Sequence, residues 1–276
     1  MEELYYINQD CLFTMCSISN TKFIFENSRT AKMNICVIYL IRQSYFQTKT
    51  GVYTNWCVSM KCNLNLIGLP KLENLKILDL CLNTRITTLE NLPNLEELDL
   101  GCNNTISYIN SLVKLTKLNL SNNEIISDIS NLTNLLRLNM GNNNKISNIL
   151  TCVKLTELML SKNDRINNID SLRKLKILDI CENKKLSSLI CQIKLECLYL
   201  GENRYIPSIS HMLELNTLYF GHNNLINNIN SQTKLTQLHI GRNQIVNLIS
   251  LVNLVDFRKF VRNHNGYIMH RNYYKQ

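Results

Sequence analysis

Five histidines, at 211, 222, 239, 264 and 270, and eleven cysteines are the side chains of this chain with the most chemistry to offer. A structural metal site needs ligands at close spacing, such as Cys-x-x-Cys or two His residues a turn apart. Cys11/Cys16 and Cys57/Cys62 are each five apart, and the histidines are dispersed, with no third ligand beside any pair. There is no G-x-S-x-G elbow, no GxxxxGK[ST] loop, no H-E-x-x-H and no Rossmann glycine run. Asp79, Asp99 and Asp179 fall at one phase of a 20-residue spacing, but only Asp79 and Asp99 could be neighbours at a strand separation of ~4.8 Å. Two carboxylates on a regular array are an ordinary solvated surface. No catalytic residue, no metal and no cofactor is expected, and the chain reads as a non-enzyme.

The same phase offers something else further along. It carries Tyr199, Tyr219 and His239, with Gln237 two residues before the last, and with His222 and Arg242 three residues after the last two. If the phase lies on a strand, these side chains stack one per repeat on an open face. Exposed aromatics with a nearby Arg are the usual make-up of binding hot spots. These six residues are the candidate ligand-binding patch.

What would hold them in line is a repeat. LTKLNLSNNEIISDISNLTN, from Leu115 to Asn134, recurs with altered polar residues at 135–154 and 155–174. With Leu75 as position 1, position 4 is Leu nine times, from Leu78 to Leu238 in steps of twenty, and position 6 is apolar throughout. Position 9 is Asn83, Asn103, Asn123, Asn143, Asn163, Asn183, Asn203, Asn223 and Asn243. The template is LxxLxLxxNxxIxxIxxLxx. In L-x-L the side chains share a face only in an extended strand. The IxxIxxL half has a period near three, which suits a 3₁₀ turn or an extended arc. Each repeat is then one coil: strand, turn at Asn, tight return.

The Asn has a structural reason. Backbone groups at the turn point inward without strand partners, and an unpaired buried polar group costs roughly 1–3 kcal/mol. An amide side chain supplies donors and an acceptor to adjacent coils, so the nine Asn are expected to form a ladder. One coil cannot stand alone; neighbours must bury both of its faces, and the ends must be capped.

LxxLxLxxN resembles the leucine-rich repeat, over about two-thirds of the chain. The IxxIxxLxx continuation is similar to internalins and leucine-rich phosphatase regulators, although those carry NxI where this chain has NxxI and are longer by about two residues. The resemblance implies an α/β-class solenoid that is mostly β, a right-handed horseshoe with a parallel sheet on its concave face. It also implies the family's usual occupation, protein recognition. The Asn-rich, Ala-poor style (41 Asn, one Ala) resembles repeats of amoebae and of the large DNA viruses that infect them.

The frame extends outward from the nine clear copies at 75–253. Residues 35–54 and 55–74 fit it as degenerate repeats, and 1–34 read as an N-terminal cap. At the other end the ninth copy loses a residue. Ser250 could then cap a short helix with Leu251, Leu254, Val255, Phe257 and Val261 on one side, giving a C-terminal cap and basic tail over 254–276.

The net charge is +9, and the last twenty residues contain Arg258, Lys259, Arg262, Arg271 and Lys275 without an acid. Lys114, Lys154, Lys174, Lys194 and Lys234 share position 20 and would line an outer flank. The odd cysteine count, the lack of a framework spacing and the acidic N-terminal start point to a reducing, intracellular, cytoplasmic setting rather than a secreted one; for a viral protein this is the host-cell cytoplasm. No apolar run is long enough to span a membrane. The expectation is a monomeric, non-catalytic scaffold gripping a protein or peptide on the concave sheet. The alternative is nucleic-acid or anionic-surface binding through the Lys row and tail.

Overall fold

The computed structural model describes residues 4–6, 21–24, 32–35, 56–59, 75–84, 86–90, 92–221, 223, 225–241, 248–263 and 266–272. The chain forms two compact units, 1–135 and 136–276. Among the described residues all regular structure is strand.

In the first unit, β1 (Leu4–Tyr6), β2 (Thr21–Ile24) and β3 (Lys32–Ile35) form a small sheet, β1 parallel and β3 antiparallel to β2. Ile35, expected to open a degenerate coil, therefore closes a strand of this sheet; 36–55 lie outside the described residues. β4 (Trp56–Ser59), β5 (Leu75–Asp79), β6 (Glu97–Asp99) and β7 (Lys117–Asn119) pair in parallel. Val58 is in register with Leu78, and Leu78 with Leu98. The 20-residue step thus holds at Val58 and Ser59; 60–74 lie outside the described residues.

In the second unit, β8 (Arg137–Asn139), β9 (Glu157–Met159), β10 (Ile177–Asp179), β11 (Cys197–Gly201), β12 (Thr217–Phe220) and β13 (Gln237–Ile240) are parallel neighbours. Leu138, Leu158, Leu178, Leu198, Leu218 and Leu238 are in register and buried. Stacking equivalent leucines gives each coil two apolar neighbours, at roughly 25 cal/mol per Å² of area removed from water. After Asn the chain runs extended, then closes through two consecutive β-turns. In the fourth coil these are Cys152 N to Ile149 O and Leu155 N to Cys152 O, both 3.0 Å.

The C-terminal helix is not formed. β14 (Asp256–Asn263) continues the sheet parallel to β13, with Phe257 in register with Leu238, and β15 (Gly266–Asn272) folds back antiparallel to it. Leu251 N to Leu248 O and Leu254 N to Leu251 O, at 3.0 and 3.1 Å, are the two return turns of an ordinary coil one residue short. The helical spacing of Leu251, Leu254 and Val255 is the coil's own period of three, met at its last copy. A helix would leave the open edge of β13 unpaired, whereas a strand satisfies it. Val255 is exposed, while Leu251 and Phe257 enter the core; the Val261 side chain lies outside the described residues.

Candidate functional site

The turn that follows each strand decides what the sheet face presents. In most coils position 5 is Asp or Asn, and its side-chain oxygen accepts the amide of position 7. Cys81 N to Asp79, Gly101 N to Asp99, Ser121 N to Asn119, Gly141 N to Asn139 and Cys181 N to Asp179 span 2.8–3.0 Å. These are Asx-turns. The acidic run at this phase is thus turn chemistry. In these coils position 8 takes a left-handed φ, as at Leu82, Cys102, Asn122, Asn142 and Glu182, and Lys162 of the Met159 coil does the same.

The pattern changes at the seventh coil. Position 5 becomes Tyr199, Tyr219 and His239, which offer no such acceptor, and position 7 becomes Gly201, Gly221 and Gly241. The left-handed φ moves to Gly201 (+49°), with a register shift between Tyr199 and Gly201. The hydrogen bonding reverses as well. Lys162 N donates forward to Cys181 O at 2.8 Å, while Gly221 N donates backward to Gly201 O at 2.7 Å. A Cβ on Gly221 would sit 2.9 Å from Gly201 O, and one on Gly241 would sit 2.6 Å from Gly221 O.

On this rebuilt face the Tyr199 and Tyr219 rings stack with centroids 4.7 Å apart and planes 21° from parallel. His239 meets Tyr219 edge-on at 4.1 Å. The Tyr219 hydroxyl lies 3.5 Å from Gln237 Oε1. His239 Nε2 is 3.5 Å from Asp256 Oδ2, and Arg258 holds Asp256 through Nε and a terminal nitrogen at 3.1 and 2.8 Å. Burial pushes the His239 pKa below its ordinary value and the Arg258 charge adds to that, against the raising effect of Asp256. Arg258 holds the Asp256 carboxyl below the usual range. Burial raises the Tyr199 hydroxyl and the Cys181 thiol, and the Asp179 charge adds to both.

Of the six candidate residues the structure thus brings four together: Tyr199, Tyr219, His239 and Gln237. His222 and Arg242 lie outside the described residues. Asp256 and Arg258 complete the row from a strand where the spacing predicts a helix; their signal is the continuing alternation V-D-F-R after Leu254. Asn83, Asn103, Asn123, Asn143, Asn163, Asn183, Asn203 and Asn223 are fully buried, and Asn243 lies outside the described residues. In the typical case of Asn203, Nδ2 donates to Asn183 O at 2.8 Å, and Oδ1 accepts Tyr205 N at 2.9 Å and Ile206 N at 3.2 Å. In the position-20 row, Lys114 Nζ donates to Asn94 at 2.6 Å and Lys234 pairs with Glu214 at 2.6 Å. Among the described residues no group of three His, Cys, Asp or Glu could hold a metal ion, and no helix is long and apolar enough to cross a membrane.

No family model and no curated protein matches the chain. Solved structures do. An internalin, InlF, from Listeria monocytogenes matches at a TM-score of 0.56 and 26% identity, over 74% of this chain and 72% of that one. A leucine-rich-repeat protein of Leptospira interrogans matches at 0.51 and 25%, over 68% and 60%. The functional domain of InlJ from Listeria monocytogenes, which includes a cysteine ladder, matches at 0.52 and 22%, over 76% and 49%. Among the described cysteines here, no two consecutive coils place one at the same phase. The fold is that of the leucine-rich-repeat solenoids: stacked parallel coils with apolar side chains and Asn inside and one varied strand face outside.

Proposed function

We propose that the protein is a non-catalytic scaffold that grips a protein or peptide segment on the sheet face of its second unit, through Tyr199, Tyr219, His239 and Gln237. The observation that carries this reading is the stacked aromatic row in three consecutive coils, where five of the six earlier coils carry turn-capping Asp or Asn and the other carries Met159. Tyr pairs bring large contact area at low conformational cost, the usual property of interface anchors. The internalin and leucine-rich-repeat likenesses support a recognition role for the same fold. A reducing, intracellular compartment is part of this proposal, on the odd cysteine count and the lack of a framework spacing in the sequence.

The test is the Tyr199→Ala/Tyr219→Ala double variant. Its partners in a quantitative pull-down should be lost while its unfolding midpoint stays near the parent value. Unchanged partners at unchanged stability refute the site. A second reading, an anionic surface or nucleic acid, is favoured by one feature: the β14–β15 register sets Arg258 opposite Arg271 and Lys259 opposite His270. Binding of duplex DNA or RNA that weakens steeply between 50 and 200 mM salt is its signature.

A further inference from the structure

The sheet face of the second unit has one charge left over. Across positions 3 and 5 from β8 to β14, Arg137 pairs with Glu157 at 2.9 Å and Arg258 with Asp256 at 2.8 Å. Beside the face, Lys176 is taken by Glu196 at 2.7 Å and Lys162 by Glu182 at 3.5 Å. Ile177, Cys197, Thr217 and Gln237 are neutral, and burial keeps His239 neutral at pH 7. Asp179 alone has no cation within ion-pair distance among the described residues. Its carboxylate accepts Cys181 N at 2.9 Å and Ser161 Oγ at 2.7 Å, both neutral donors.

Asp179 also sits at a step in the row. Its register neighbours are Met159 on one side and Tyr199 on the other. Both reach further from the sheet than an aspartate. Tyr219 stacks on one face of Tyr199, so the other face is turned along the row toward the Asp179 coil. Two strand spacings separate Met159 from Tyr199, about 9.6 Å. That spacing leaves room for one planar group over the carboxylate, between the Met159 and Tyr199 positions.

We propose that this slot takes an arginine side chain from the partner segment, its guanidinium lying on the free face of Tyr199 and donating to the Asp179 carboxylate. Arginine fits better than lysine. Its planar, weakly hydrated head stacks on an aromatic face and forks onto a carboxylate, whereas an ammonium is compact and strongly hydrated. The inference rests on the proposed use of this sheet face and adds the chemistry of its guest. Asp179 acts in recognition, and its Asx-turn is secondary, because Asn119 and Asn139 make the same turn without a charge.

That equivalence supplies the variant. Asp179→Asn keeps the turn and deletes the charge. Random dodecapeptides displayed on phage are selected on the full-length protein, and the selected peptides are titrated against the parent, Asp179→Asn and Tyr199→Ala/Tyr219→Ala. The expected result is arginine enrichment at one peptide position, with affinity for those peptides falling roughly ten- to a hundredfold in Asp179→Asn, the loss of one charge-assisted pair. Arginine peptides that bind Asp179→Asn as well as the parent overturn the slot. So do selected peptides enriched in lysine instead, or in no cation, that still lose affinity in the double Tyr variant; those leave the binding face standing. A selection yielding no peptide sensitive to the Tyr pair overturns both readings.

Discussion

Replacing Asn203 by Ala removes the amide that ties the seventh coil to the sixth. The side chain is fully buried. Its Nδ2 donates to Asn183 O at 2.8 Å and more weakly to Leu186 O at 3.4 Å, and its Oδ1 accepts Tyr205 N at 2.9 Å and Ile206 N at 3.2 Å. Alanine leaves the two well-made bonds without their side-chain half, orphaning one carbonyl and one amide in a fully buried site. At roughly 1–3 kcal/mol for each orphaned group, plus the weaker pair, the loss is about 3–5 kcal/mol. Asn203→Asp is the sharper probe. It keeps the acceptor for Tyr205 and Ile206, but sets a carboxylate against Asn183 O and Leu186 O, so at neutral pH it should cost at least as much as Ala. The control is Asn228→Ala, where an exposed side chain accepts only Asn230 N at 2.8 Å and the loss should stay below about 1 kcal/mol. Urea unfolding followed by far-UV circular dichroism compares the three at equal slope. If Asn203→Ala lies within about 1 kcal/mol of Asn228→Ala, the buried ladder is not what joins the coils.

Gly221→Ala puts a methyl group 2.9 Å from Gly201 O, the carbonyl that accepts Gly221 N; a loss of about 1–3 kcal/mol in urea unfolding is expected, and no loss refutes the close backbone approach. His239 is protonated more readily unfolded than folded, because burial lowers its folded pKa. Its contribution is therefore complete above about pH 6.5, the unfolded value, and is lost as pH falls through that value toward the lowered folded one. His239→Phe should flatten the fall in urea midpoint between pH 7.5 and 5.5, and an unchanged slope in pH counts against the burial. Phe257→Ala empties a buried position in β14 and should cost about 3–5 kcal/mol, read as early hydrogen exchange in β13 and β14; protection equal to the parent there would show that Phe257 does not close the core.

The coils were legible because each position meets the same surroundings nine times over. Leu78 and Leu178 occupy equivalent sites, so the period announces both the strand and its buried face. The role of Asp79 or Asp179 was hidden for a different reason. Its partner is a backbone amide two residues away, which every residue type except Pro possesses, so nothing in the repeat's side chains marks it. The strand at 256–263 was misread because a period of three over Leu248, Leu251 and Leu254 fits both a return turn and a helix face. The edge of β13 decides between them, and an edge is a property of the assembled sheet. The glycines were visible but carried no weight singly; Gly101 and Gly141 occupy the same phase and keep the older turn.

Met159 separates two explanations of the aromatic row. If losing the Asx acceptor forced the new turn, Met159 should be followed by glycine. It is followed by Ser161, whose Oγ donates to Asp179, while Lys162 keeps its left-handed φ and its forward bond to Cys181 O. The older turn therefore survives without an Asx at position 5. Glycine at position 7 does not impose an aromatic either, as Gly101 and Gly141 follow Asp99 and Asn139. Neither change requires the other, yet both occur together in three successive coils, 199/201, 219/221 and 239/241. Their joint effect is to lengthen the strand past the rings in the seventh coil and to release position 5 from the turn in all three. Side chains freed from a structural duty in step, and stacked on one another at 4.7 and 4.1 Å, form a continuous surface. That physical coupling, more than the count of tyrosines, is the reason to look for a partner there.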